Sequence, residues 1–153
     1  MSLLTKEDFY FGSLLSLLIN KKAKPALFDD NADTNKRIYN VILNNTEGTI
    51  YAKYRINSEE TKQRWIFQYS KEEQTKLLEL ANNNLYLAFI CGNKNLKNSQ
   101  IALLQIKEID EFKNILLDDN LKIVVTSLHG KFLIEFCSEN FNKPYNAKKE
   151  FLF

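Results

Sequence analysis

The sequence predicts an α/β (α+β) fold: a single mixed β-sheet of about seven strands with three helices, in the order α-β-β-β-α-β-β-α-β-β. Two kinds of pattern support this prediction. Short apolar or alternating runs bounded by turn residues indicate strands, and apolar residues at helical spacing after capping residues indicate helices. The chain has 153 residues, of which 44% are hydrophobic, enough to form a core without disulfides or metals. We therefore expect residues 1–153 to form a single domain.

The first predicted helix covers roughly residues 6–20. Thr5 followed by Asp8 is typical of a helix N-terminus. Apolar side chains cover much of its circumference: Phe9, Tyr10, Phe11, Leu14, Leu15, Leu17, Leu18 and Ile19. A helix of this kind is either deeply packed or shared with a second subunit, so a homo-oligomer formed through helix one is one expectation.

Three strands and a second helix follow. The run "RIYNVIL" (37–43) and the run "TIYAKYRI" (49–56) flank the turn "NNTEG" and predict a hairpin, and "RWIFQY" (64–69) predicts a third strand. Ser70 and Glu73 form a capping-box pattern, which predicts a helix that continues to about Ala81.

The remaining elements are read in the same way. The continuous apolar run "LYLAFICG" (85–92) predicts a strand covered on both faces in the middle of the sheet. A strand at 101–106 and a short helix within 108–117 come next. Strands at 121–128 and 131–137 are predicted to join through a turn at His129 and Gly130, and the tail after Cys137 is predicted to be irregular, with residues 151–153 docked on the protein.

Composition excludes several classes of site. Two cysteines and one histidine are too few for the usual zinc sites, and four glycines build no phosphate-binding loop of the common types. We therefore predict no catalytic residues, no metal and no cofactor. Free cysteines within apolar runs and the lack of a long apolar segment predict a cytoplasmic protein without a membrane partner. The net charge of +2 is too small for a dedicated non-specific nucleic-acid binder.

A local combination of aromatic and basic residues is the main candidate for a binding surface. Alternation along the second strand places Ile50, Ala52, Tyr54 and Ile56 on one face, and Thr49, Tyr51, Lys53 and Arg55 on the other. With Arg64 on the next strand, and Lys94 and Lys97 in the loop "NKNLKNSQ", the second set could hold a nucleic acid or a protein. The alternative is an ordinary solvated sheet face.

The triplet Tyr51, Ala52 and Lys53 also lies on a strand that follows the acidic residues Glu7, Asp29, Asp30 and Asp33. The order of helix, three strands, helix and strand over about residues 5–92 resembles the core of the PD-(D/E)XK nuclease superfamily. That family has an acid-x-Lys triplet on a strand and holds a divalent cation between carboxylates. Here Tyr51 stands where the family has an acid, so the resemblance implies a degenerate relative.

These observations predict a non-catalytic accessory or regulatory protein, since no enzyme motif is complete. It would contact a protein partner or nucleic acid through Tyr51, Lys53, Arg55 and Arg64, helped by Lys94 and Lys97. One alternative is a metal-dependent phosphodiesterase that uses Lys53 with displaced ligands from Glu7, Asp29 or Asp30. Another is a homo-oligomeric structural protein built on helix one.

Overall fold

The computed structural model describes residues 5–20, 22, 24–29, 36–43, 45–57, 63–81, 84–93, 99–109, 111–128 and 131–148. Within them the helices are α1 (Lys6–Asn20), α2 (Lys71–Leu80) and α3 (Phe112–Leu117), with a short 3-10 helix at Ile106–Glu108. The strands are β1 (Lys24–Asp29), β2 (Lys36–Leu43), β3 (Thr46–Asn57), β4 (Arg64–Gln68), β5 (Leu85–Asn93), β6 (Gln100–Gln105), β7 (Lys122–Leu128), β8 (Lys131–Cys137) and β9 (Asn142–Lys148).

The strands form two sheets. A five-stranded sheet has the order β1-β2-β3-β5-β6, and a four-stranded sheet has the order β4-β7-β8-β9. All neighbours are antiparallel except β3 and β5, which are parallel. The mixed α+β class is confirmed, but the prediction of one seven-stranded sheet is wrong. Apolar patterns indicate that a segment is a strand, whereas its sheet is decided by long-range pairing such as that of Arg64 with Thr126.

Two strands were not predicted. Strand β1 contains Pro25, and β9, in the tail predicted to be irregular, contains Pro144. Both are the terminal strands of their sheets. Proline cannot donate a hydrogen bond to a neighbouring strand, but an edge strand needs only half of its backbone donors for pairing. Proline in the sequence therefore argues against a strand in these two segments. It is nevertheless compatible with the edge positions of β1 and β9.

The five-stranded sheet is the middle layer of the protein. On one face it packs against α1, in a core that includes Leu14, Leu18, Ile50 and Ile90. On the other face it packs against the four-stranded sheet, in a larger core that also takes in residues of α2 and α3. The largest fully buried side chains of this second core are Trp65, Tyr51, Phe67, Phe89, Phe112, Phe132 and Phe136.

Helix α1 is anchored by aromatic packing. Thr5 and Asp8 exchange hydrogen bonds at its N-terminus, as the sequence predicts. Tyr10 stacks on Tyr54 of β3 with ring centroids 5.1 Å apart, and the Tyr54 hydroxyl donates to Glu7 at 2.7 Å. The helix is thus packed on the sheet. Its outward face still exposes Phe9 (47%) and Ile19 (62%), and a homo-oligomer formed through this helix stays a prediction.

Other local predictions have mixed outcomes. The capping box of Ser70 and Glu73 is confirmed. Strand β5 lies inside its sheet and is buried along most of its length, as its apolar run predicts. Strands β7 and β8 pair up to Leu128 and Lys131, as the hairpin requires, but His129, Gly130 and the terminal residues 151–153 lie outside the described residues.

Candidate functional site

The residues predicted to form one surface have different environments. Strand β3 is covered on both faces, so Tyr51 and Lys53 are 1% and 5% exposed, and Thr49 is also buried. The prediction of an open surface is therefore wrong at Tyr51 and Lys53. Arg55 and Arg64 are exposed. Lys94 and Lys97 lie outside the described residues.

Lys53 belongs to a polar cluster that consists of Tyr51, Lys53, Gln68, Ser70 and Glu73, of which Tyr51, Lys53 and Glu73 are buried. The Lys53 Nζ donates to the Glu73 carboxylate, at 3.0 Å from Oε1 and 2.9 Å from Oε2, and also to the Gln68 carbonyl oxygen. The Tyr51 hydroxyl donates to Glu73 Oε2 at 2.7 Å. The Ser70 backbone N–H donates to Glu73 Oε1 at 3.2 Å, as part of the α2 capping box.

Inside this cluster the positive charge of Lys53 compensates the negative charge of Glu73. Burial raises the pKa of Glu73, but hydrogen bonds from Lys53 and Tyr51 and the charge of Lys53 outweigh it, so that the pKa lies below its ordinary value. The ammonium also lies 4.5 Å from the centre of the Tyr69 ring. Burial, with the charge of Glu73, holds the pKa of Tyr69 well above its ordinary value. A charge pair compensated in this way joins β3, β4 and α2.

The surroundings of Lys53 can be compared with those of the lysine in the acid-x-Lys triplet of the PD-(D/E)XK nucleases. The carboxylate beside Lys53 comes from Glu73 on α2, and Tyr51, at the family's acid position, binds that carboxylate. Glu7 binds Tyr54, and Tyr54 and Lys53 point to opposite faces of β3. Among the described residues, no group of three His, Cys, Asp or Glu side chains could hold a metal ion. Asp30 and Asp33, and the side chain of Asp29, lie outside the part described, so the nuclease resemblance stays a prediction.

Arg64 lies on a different surface, the outer face of the four-stranded sheet. Strand register places these residues on that face: Arg64, Ile66, Gln68, Lys122, Val124, Thr126, Leu128, Lys131, Leu133, Glu135, Cys137, Asn142 and Pro144. Their neighbours in sequence, such as Trp65 and Phe67, form the core behind them. Ile66 is 38% exposed and Leu128 is 39% exposed. Solvent thus reaches large apolar side chains on this face.

The outer face carries more basic than acidic side chains among its described residues. Arg64, Lys122 and Lys131 are exposed on it, against one described carboxylate, that of Glu135. Burial and then the charge of Glu135 raise the pKa of Cys137, whereas the charges of Lys122 and Arg64 lower it. The charges of Glu135, Lys122 and Arg64 therefore all act on the Cys137 thiol. None of the described residues there is aromatic.

The prediction from sequence included Arg64 but missed the residues of β7 and β8 on the same face. A signal for them is present in "KIVVTSL" and "KFLIEFC", where alternate positions hold Lys122, Thr126, Lys131 and Glu135 between buried apolar residues. The pairing of β4 with β7 could not be predicted from local patterns, and it is this pairing that brings Arg64 beside them.

Comparisons with protein-family models, curated protein sequences and solved structures found no match for this chain. In the part of the chain that the structure describes, no helix is long and apolar enough to cross a membrane.

Proposed function

We propose that this chain is a non-catalytic accessory or regulatory protein that binds a macromolecular partner through the outer face of its four-stranded sheet. The observation that carries the proposal is the exposure of Ile66 and Leu128 on a sheet face that also presents Arg64, Lys122 and Lys131. Apolar side chains next to arginine are typical of the centre of protein interfaces.

A protein partner is favoured over a nucleic acid. Single-stranded nucleic acids are held by bases stacked on aromatic rings together with cations along the backbone. Tyr51, the aromatic residue of the predicted surface, is buried, and so are the nearby Trp65, Phe67 and Tyr69. The outer face presents cations and one described carboxylate beside aliphatic side chains, which a phosphate backbone does not bind.

The proposal is tested with variants that remove apolar area but keep a residue suited to a strand. Ile66→Thr combined with Leu128→Thr changes the outer face. Ile42→Thr is the matched control, because Ile42 is 43% exposed on β2, in the other sheet. Wild type and both variants are immobilised, incubated with extract of the source cells, and the captured proteins are quantified by mass spectrometry.

We expect a set of proteins to be captured by wild type and by Ile42→Thr and to be lost with the double variant. Urea unfolding must show that the double variant is folded. Equal capture by all three proteins would contradict the proposal. Binding of a single-stranded oligonucleotide that weakens with Arg64→Ala would instead favour the nucleic-acid partner.

A further inference from the structure

We infer that the outer face of the four-stranded sheet takes a short acidic protein segment that presents aliphatic side chains. This inference rests on the proposed function and specifies the chemistry of the partner. It follows from the charge of the face, from its size and from the side chains that it presents.

The positive charge of the outer face favours a different partner over a second copy of this chain. Two copies that met through this face would bring the Arg64, Lys122 and Lys131 side chains of one copy against those of the other, with Glu135 as the one described carboxylate on each side. Like charges across an interface disfavour association, whereas an acidic partner is attracted and its encounter is accelerated. The face is therefore complementary to carboxylates.

Size points to a segment rather than to a large surface. Four strands spaced about 4.8 Å apart, one of five residues and three of seven at about 3.3 Å per residue, cover roughly 400 Å². A standard interface buries about 800 Å² on each partner. The outer face alone falls short of that area but is large enough to seat one short peptide segment.

The apolar residues define what that segment presents. Ile66 on β4 and Leu128 on β7 are exposed and Leu133 on β8 is partly exposed, whereas Val124, the partner of Ile66 on β7, is only 5% exposed. The cations are interspersed with these side chains: Arg64 lies two residues before Ile66 on β4, Lys131 is paired with Leu128, and Lys122 lies on β7 opposite Gln68. A matching segment presents aliphatic side chains next to Asp or Glu.

The test uses a random-peptide display library as the probe. The library is selected on the full wild-type chain and counter-selected on the variant with Ile66→Thr and Leu128→Thr. Peptides that survive both steps are synthesised, and their affinities are measured for wild type, Lys122→Glu and Lys6→Glu. Lys6 is the matched control because it is exposed on α1, on the far side of the five-stranded sheet.

We expect the selected peptides to be rich in Asp and Glu around aliphatic residues. Their affinity is expected to fall about tenfold with Lys122→Glu, equivalent to about 1.4 kcal/mol, and to stay unchanged with Lys6→Glu. Raised salt should also weaken the binding of these peptides to wild type, because exposed charges are screened.

The outcomes separate the inference from the proposed function. Peptides that depend on Ile66 and Leu128 but carry no excess of acid, or that bind Lys122→Glu as well as wild type, would overturn the inference and leave the proposed function standing. Failure to recover any peptide that binds wild type more tightly than the double variant would count against both. Dimers in sedimentation that dissociate with Ile66→Thr would show a second copy on this face and overturn the inference.

Discussion

Replacing Lys53 by methionine is expected to destabilise the protein strongly. The side chains of Lys53 and Glu73 are only 6% and 11% exposed, so the variant leaves the Glu73 carboxylate buried without its cation. Breaking a buried pair from one side costs about 3–5 kcal/mol. A chain of this size loses about 2–4 °C of melting temperature per kcal/mol, so we expect a decrease of roughly 6–20 °C.

Urea unfolding measures the effect, and the chain supplies its own control. Lys71 and Asp119 form an ion pair of similar length, 3.0 Å, with side chains 61% and 65% exposed. Lys71→Met should cost about 1 kcal/mol or less, because exposed pairs contribute little. The double variant Lys53→Met with Glu73→Gln should lose less than the sum of the single variants. Additive losses, or a loss with Lys53→Met no larger than with Lys71→Met, would refute the reasoning.

The same pair predicts a pH dependence. The pKa of Glu73 is below its ordinary value of 4.5 in the folded protein, so its ionised form stabilises the fold at higher pH. This stabilisation is complete above the pKa of the unfolded chain and is lost as the pH falls through the lower pKa of the folded state. The stability difference between wild type and Glu73→Gln should therefore be constant near neutral pH and decrease below pH 4.5. A difference that stays constant into that acid range would contradict this assignment.

Three further perturbations have defined outcomes. Gly92→Ala would place a Cβ 2.5 Å from the hydroxyl oxygen and 2.6–2.7 Å from ring atoms of the buried Tyr10, so urea unfolding should show a loss of about 1–3 kcal/mol that Tyr10→Leu partly restores. Ser70→Ala removes the side-chain cap of α2 and should cost about 1 kcal/mol in the same assay. The Ser138 hydroxyl, which donates to Asp118 at 2.7 Å, is the main cause that lowers the pKa of Asp118 to about 2. NMR titration should find that pKa and its increase in Ser138→Ala.

Each of these expectations has a result that would contradict it. A neutral Gly92→Ala would mean that the Tyr10 ring moves freely. An unchanged stability in Ser70→Ala would show that the cap contributes nothing. For Asp118, stability is gained above the ordinary pKa of 3.8 and lost as the pH falls toward 2. A carboxyl that titrates at its ordinary value would refute the role of the Ser138 hydrogen bond.

Local patterns predict much of this fold. The α2 capping box, the apolar run of β5 and the Thr5–Asp8 cap of α1 each depend on neighbours a few positions away, and all three are present as predicted. The two sheets could not be predicted in this way. Their separation depends on which distant segment pairs with β4, and single-strand patterns hold no such information.

The surroundings of Tyr51 and Lys53 could not be predicted from local patterns either. Tyr51 and Lys53 alternate with apolar residues as a solvated face does, so their sequence gives no sign that the four-stranded sheet covers them. A signal in retrospect is Glu73 itself, because an acid in a capping box has one carboxylate oxygen left to accept other donors. That its partners are Lys53 and Tyr51 depends on the packing of α2 against β3, which only the three-dimensional structure shows.

The course of the chain between the two sheets has a consequence for folding. It leaves the five-stranded sheet after β3, contributes β4 to the other sheet, and returns as β5 parallel to β3. Strand β4 then has no pairing partner until β7 is made. A polypeptide released after β6 would hold every strand of the five-stranded sheet but would present Trp65 and Phe67 on an unpaired β4, so the core between the two sheets would stay open. We expect one cooperative transition, and a slow one, because its decisive contacts close long loops.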